Sequence, residues 1–533
     1  MEYQQFDKAS KIELKIFKRL RSSSPYVYYT LQNLYIRFAV ASVYAFFGQY
    51  LNVDAHQLQS LDNLIRNVSS LKNLFSFISD SVPICGLRRL PYVLIGLFMI
   101  LACSTIMFFR PIPEPYFESY NEVDEDGNSN CSRDLNVIRN PEAHNRALDY
   151  ATLFMVAFIG LAFSDCCMDA FTAQRTSLEE ETNRGSILLK ISVVKRFSAA
   201  VFASIFAILY NQIDYGGHFC PFGVKLNQLA LIVAIGCIIA IVYVTMFTNE
   251  RDYESNQNVK LRENLLLFWN FLQTPHFLML VGNRIILAHL FGFRTPAKSK
   301  VEIRWLKVEP LTKGMQEALL NILKAVGSWI YMKYFINFNW RKTVVILILI
   351  DLGLKALFQP LAVLGVIRSQ YFWNADDEVT GIFAPWFTLI YTFVVVEYTP
   401  RNLEGTTVAF LWSVAPCIGS VGTVLGNMFF SFFDIMDDSR YLRDSKEDRF
   451  LIFSTFAIDW FFSIITVFFV FLLPTQKPMA QKWRQEGESV RYRKCAKVLL
   501  TFICLSFVYS LIVSALTFFE QTRCLMIAGG SGC

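Results

Sequence analysis

The sequence predicts an all-α, polytopic membrane protein of about twelve transmembrane helices in two six-helix halves, with one further apolar run near its end. Three observations predict this fold class. Of 533 residues, 54% are hydrophobic and 18% charged, whereas soluble domains carry about 25% charged residues. Apolar runs of roughly the 20 residues that a spanning helix needs recur along the whole chain. Lysine and arginine collect in loops that a regular up-and-down threading puts on one side, as expected of cytoplasmic loops.

In order, the runs lie near 27–50, 60–79, 92–109, 150–170, 187–210 and 228–248, then 274–293, 314–336, 343–365, 380–398, 406–433 and 450–473. The second carries Asp62, Arg66 and Lys72, so it is stable only inside a bundle. The polar stretch Asn249-Glu250-Arg251-Asp252-Tyr253-Glu254 separates the two sets. The predicted organisation is a cytoplasmic segment 1–26, a six-helix half 27–248, a cytoplasmic linker 249–273 and a second half 274–473. A basic loop, an extra apolar helix and a tail follow at 474–533; the run 498–519 fits either a span or a helix along the membrane surface.

Orientation follows from the basic residues. Lys8, Lys11, Lys15, Lys18, Arg19 and Arg21 precede the first run, Arg88 and Arg89 follow the second, and seven lie between Lys477 and Lys497. All fall on one side if twelve helices precede the last loop. The loop 110–149, acidic at Glu122-Val123-Asp124-Glu125-Asp126, falls on the other side. Lys298, Lys300, Arg304, Lys307 and Lys313 also fall there, against the rule. The balance places the N-terminus in the cytoplasm. No small-residue cleavage site follows a short apolar core, so no cleavable signal is expected.

Several function classes are disfavoured. The net charge of +6 contains no long basic run, which gives nucleic-acid binding little support. The twelve cysteines are scattered and form no disulfide framework; Cys131 and Cys220 share the non-cytoplasmic side and are either bridged or free. The five histidines show no metal-ligand spacing. Neither a nucleophile–base constellation nor a phosphate-cradling Gly loop is visible. No enzyme activity, metal or cofactor is expected.

Three stretches resemble the folate–biopterin transporters, a branch of the major facilitator superfamily. The first runs from Lys72 to Tyr92, with Ser79-Asp80-Ser81, Pro83, Gly86, Arg88-Arg89 and Pro91-Tyr92 at the family's spacing. The second is Ser164-Asp165-Cys166-Cys167-Met168-Asp169-Ala170, followed by Arg175; the third is Pro400-Arg401-Asn402-Leu403-Glu404-Gly405-Thr406-Thr407. Val68, Ser69 and Asn73 stand where the family usually has Pro, Trp and Pro, and Ser76 where Gly is common. The resemblance implies twelve helices in two halves and transport of a folate, a pterin or, as in some members, S-adenosylmethionine.

Ionisable groups within spans face partners or a water-filled path. Lys72 and Arg284 suit an anionic solute, because a fixed cation in a low-dielectric cavity attracts an anion strongly and Arg grips a carboxylate with two hydrogen bonds. The bland readings are snorkelling for Lys72 and an ion pair with Asp351 for Arg284. Arg37, with Gln32 and Asn33 one turn earlier, forms a polar stripe whose donors and acceptors suit a pterin edge. Asp165 and Asp169, four apart on one helical face, and Glu397 serve either proton coupling or a charge relay, with Lys190, Lys195 or Arg196 as facing cations. Asp351 and Lys355 are expected to satisfy each other. A cytoplasmic gate is expected from Asp80, Gly86, Arg88, Arg89 and Arg175, together with Arg401, Glu404 and Gly405, the glycines permitting tight turns.

The expected function is alternating-access transport of a folate- or pterin-like small solute, driven by protons if the acids couple, in the lipid bilayer of the plasma membrane. The alternatives are transport of another organic solute such as S-adenosylmethionine, and a non-transporting membrane protein on the same scaffold.

Overall fold

The structure, a computed structural model, describes residues 23–68, 71, 72, 75, 78, 79, 82, 84–87, 89–123, 129–177, 186–217, 224–248, 261–335, 337–399, 404–435, 438–486, 490–517, 519, 521, 522, 524 and 525. Within lipid, backbone donors and acceptors must be satisfied inside the segment, and helices dominate accordingly. In the first half, α1 covers 23–42 and continues as a π-helical segment, Val43–Tyr50. It is followed by α2 (Ala55–Val68), α3 (Leu90–Phe109), α4 (Ala147–Ser177), α5 (Ser186–Leu209) and α6 (Leu226–Phe247). The second half contains α7 (Pro275–Gly292), α8 (Pro310–Ile330), α9 (Trp340–Val363), α10 (Gln370–Tyr398), α11 (Glu404–Ser431) and α12 (Lys446–Ile465). The last apolar run forms α13 (Arg493–Leu516).

Local chemistry sets the helix starts. Pro91, Pro275 and Pro310 occupy first-turn positions of α3, α7 and α8, where the missing N–H costs nothing. Asn339 caps α9 by accepting from the Lys342 N–H at 3.2 Å. Ten helices among the described residues are long and apolar enough to cross a membrane. The ten leave out α1, α2 and α8; Arg37 lies on α1, Glu317 on α8, and Lys72 four residues beyond the end of α2. Polarity in a spanning helix marks the face turned to the bundle interior.

The loop 110–149 differs from expectation. It carries an antiparallel hairpin, Phe117–Val123 against Ser129–Ile138, which its acidic composition did not announce. The Tyr116 N–H bonds the Tyr50 carbonyl at 3.0 Å and Ser119 bonds Asp214 at 2.7 Å, seating the hairpin over the end of α1. Cys220 and the Cys131 side chain lie outside the described residues.

Small side chains let the halves approach closely at their non-cytoplasmic ends. Ala200 and Ala203 of α5 pack on Ala318 of α8, and a Cβ on Gly314 would stand 2.3 Å from the Ala207 methyl. The Tyr44 hydroxyl, near the end of α1, donates to the Val308 carbonyl at 2.5 Å. A second seam joins α2 to α11. Lys298 pairs with Asp377 at 3.0 Å and Lys313 with Glu302 at 2.8 Å, so two of the basic residues that broke the orientation rule are neutralised inside the fold. Close by, Arg368 and Arg449 both bond Asp444. Burial alone would raise the Asp444 carboxyl, but those hydrogen bonds and charges outweigh it and hold it at about 2.

Helix α13 resolves the open reading of 498–519. Its 24 residues rise about 36 Å, more than the roughly 30 Å hydrocarbon core. It packs on α2 and α11. The Tyr492 N–H bonds the Gln273 carbonyl at the cytoplasmic end, and Gln57 donates to the Thr517 carbonyl at 2.6 Å at the opposite end. The helix therefore crosses the full bundle. Beyond it Cys524 is disulfide-bonded, whereas Cys85 and Cys495 are exposed free thiols. In sealed, oriented vesicles an impermeant maleimide should reach Cys495 only from the cytoplasmic face and a Phe519→Cys thiol only from the other. Labelling of both from one face would contradict the crossing.

Candidate functional site

A charge cluster occupies the cytoplasmic half of the first bundle. Lys72 forms an ion pair with Asp165 of α4. Lys195 of α5 stands 3.2 Å from Asp169 and 4.0 Å from Asp165, so one cation serves two carboxylates. Tyr29 of α1 donates to Asp169 at 2.5 Å, and the Lys195 ammonium sits 3.7 Å from that tyrosine's ring centroid. The Asp165 side chain is only 8% exposed and that of Asp169 is 49% exposed. Of the two acids Asp169 is open to water, and Asp165 is locked between helices.

Nearer midplane, Arg37 of α1 reaches across the halves to Glu317 of α8 at 2.5 Å. Asn321, one turn on, donates to the same carboxylate at 3.1 Å. Arg196 lies within electrostatic reach of both partners. In the second half, Arg284 of α7 rests against two aromatic faces, with its guanidinium carbon 4.8 Å from the Tyr391 centroid and 5.3 Å from that of Trp412. These rings, with Val395 and Leu411, line a small pocket beside it. Among the described residues no carboxylate lies within ion-pair distance of Arg284 or Arg196.

These placements sort the expected site residues. Lys72 is paired with Asp165, not snorkelling, and Asp351 is held by Lys355 at 2.7 Å, which removes it as the partner of Arg284. Of the helix-1 stripe only Arg37 reaches across the halves. Asn33 is tied to the Lys195 carbonyl and the Ser198 hydroxyl, both at 2.9 Å, a helix-packing role. Lys190 is exposed. Glu397 is one residue from the end of α10 and accepts from Gln481 at 2.9 Å, at the cytoplasmic mouth and apart from the aspartate pair.

At the expected gate, Ile84 and Leu87 exchange both backbone hydrogen bonds, with Cys85 and Gly86 at φ +53° and +78° between them. Two central residues with positive φ make the tightest two-residue hairpin, which glycine eases. Arg89 donates to the Ala170 carbonyl at 3.0 Å, tying that turn to α4. Arg175 lies 5.9 Å from the Phe171 ring centroid. Asp80, Arg88 and Arg401, and the side chains of Glu404 and Gly405, lie outside the described residues.

Sequence reasoning missed Glu317, Tyr29, Tyr391 and Trp412. Glu317 left a signal: Lys313, Glu317, Asn321 and Lys324 recur at spacings of four and three, a polar stripe on one face of α8. The aromatic partners left none, since one tyrosine or tryptophan among 23 and nine does not announce what it covers.

The bundle is similar to solved transporters at low identity. One is a D-xylose–proton symporter, with TM-score 0.56, 11% identity and coverage of 86% of this chain and 98% of that one. Another is the nucleoside transporter NupG, with TM-score 0.55, 9% identity and coverage of 85% and 99%. A third is a POT family transporter in complex with 5-aminolevulinic acid, with TM-score 0.54, 12% identity and coverage of 86% and 96%. The fold is that of the major facilitator transporters. Residues 35–111 match the model of the BT1 family, the biopterin and folate transporters, and the matched stretch carries Arg37, Lys72, Gly86 and Arg89. No curated protein matches the chain.

The Arg37–Glu317 bridge makes a direct demand. Arg37→Glu and Glu317→Arg should each lower the melting temperature of the purified protein, and the double exchange should recover most of the loss, with a coupling of about 1–3 kcal/mol. Additive losses would show that the pair does not hold the halves.

Proposed function

We propose that the chain is a transmembrane transporter that moves an anionic folate- or pterin-like solute by alternating access. The observation that carries this reading is the charge balance at the centre of the bundle. Among the described residues, the carboxylates within reach of Lys72, Lys195, Arg37, Arg196 and Arg284 are those of Asp165, Asp169 and Glu317. Cations that nothing neutralises are expensive at membrane depth; an arriving carboxylate would repay part of that cost. The same surplus repels a sulfonium cation, which ranks S-adenosylmethionine below folate.

In this mechanism the solute's carboxylates meet Arg196 and Arg284 from opposite halves, and the Tyr391 and Trp412 faces offer stacking to a planar ring. An anion near Arg196 also competes with Glu317 for Arg37. Loosening that bridge frees the α5–α8 contact and lets the non-cytoplasmic ends part. Asp169, wet and shared by Tyr29 and Lys195, is the site where a proton would enter; once it is neutral, Lys195 turns wholly to Asp165. The cytoplasmic gate completes the cycle with Gly86, Arg89 and Arg175, and with Asp80, Arg88, Arg401, Glu404 and Gly405. Residence in the plasma membrane is part of the proposal.

Uptake in a transport-deficient host separates these statements. Folic acid should accumulate saturably and faster at acid pH, biopterin more weakly and S-adenosylmethionine not at all. Asp169→Asn should depress accumulation against a gradient more than counterflow exchange. Equal loss of both would remove the proton from the mechanism, and preference for S-adenosylmethionine would overturn the anionic site.

A further inference from the structure

At the cytoplasmic end of the bundle, α7 and α13 part to leave a crevice of about 410 Å³, open at its side, lined by Ile285, Lys494, Cys495, Val498, Leu499 and Phe502. Lys494, Val498 and Phe502 are four residues apart and share one face of α13. Each step carries the face about 6 Å deeper into the membrane, so the crevice has a charged rim and an apolar floor. Val498 and Phe502 are exposed on the bundle surface, where the surrounding medium is lipid. The rim is strongly basic. Arg493, Lys494 and Lys497 are all exposed, and among the described residues none forms an ion pair. They close a segment with seven basic residues between Lys477 and Lys497, the pattern that anionic lipid headgroups attract at a cytoplasmic surface.

We propose that this crevice binds an anionic phospholipid of the cytoplasmic leaflet. One acyl chain lies along Ile285, Val498, Leu499 and Phe502, and the phosphate meets Lys494, with Arg493 and Lys497 adding to the local field. The occupant needs both parts: a soluble anion would leave the apolar floor uncovered, and a neutral lipid would leave the rim unpaired. The site is distinct from the central charge cluster, which lies on the inward faces of the halves. It sits on α13, which follows the two six-helix halves and packs on α2 of one and on α11 of the other.

The test uses the full chain purified from membranes containing equal phosphatidylglycerol and phosphatidylcholine, with retained lipid read by native mass spectrometry. Phosphatidylglycerol should be retained several-fold over phosphatidylcholine. Lys494→Gln should cut that preference by about fivefold, the scale of one basic residue at a membrane surface. Val498→Trp, at an exposed position, should fill the floor and reduce retention of both lipids, with an unchanged melting temperature showing that the fold is intact. Lys482→Gln, whose partner is Glu486 at 3.6 Å, should change nothing. Equal retention of the two headgroups, or retention unaffected by both Lys494→Gln and Val498→Trp, would overturn the site. Displacement of the lipid by millimolar inorganic phosphate would do so too, since it would make a free anion the occupant.

Discussion

A charge inside a bilayer has to be paired or wet, and the rest of this bundle is arranged around that requirement. Arg37, Lys72, Lys195, Arg196 and Arg284 gather with Asp165, Asp169 and Glu317 on α1, α4, α5, α7 and α8 and on the short segment that carries Lys72. Most of them, Asp165, Asp169, Lys195, Arg196 and Arg284, lie on helices that are still apolar enough to be recognised as spans; Arg37 and Glu317 lie on α1 and α8, which are not. Such helices need neighbours: α8 packs on α5 and α10, and α2 on α4, α11 and α13.

Pairing and mobility are set in different places. Inside the first half, the Tyr29–Asp169 bond ties α1 to α4 and the Lys72–Asp165 pair ties the segment beyond α2 to α4. Between the halves, the contact is carried by Arg37–Glu317, the Tyr44–Val308 hydrogen bond, a patch of alanine and glycine and the α2–α11 seam. Small residues pack closely but without knobs that would resist sliding. In the proposed mechanism, parting the α5–α8 side breaks Arg37–Glu317 and the Tyr44–Val308 hydrogen bond, while the α2–α11 seam lies elsewhere.

Much of the fold was legible in the sequence because lipid imposes a crude rule, about 20 apolar residues per crossing, and basic loops set the orientation. The rule failed where tertiary structure supplied partners. Lys298 and Lys313 looked misplaced until Asp377 and Glu302 were found against them. The hairpin in 110–149 was invisible because its strands are polar and outside the membrane. At the site, the aspartates and Lys72 were legible as charges out of place, whereas Glu317 hid in an amphipathic stripe and the cage of Arg284 hid among ordinary aromatics. Which charges remain unpaired is a property of three-dimensional neighbours, and no spacing encodes it.

In the proposed mechanism, unpaired cations at the core select an anionic solute. Equilibrium binding of folic acid and of neutral biopterin to the purified protein, compared with Arg284→Gln, tests it most directly. The account predicts a loss of about tenfold or more for folic acid, the scale of one hydrogen bond to a charged group, with biopterin changed far less. Equal effects on both ligands, or none on either, would contradict it.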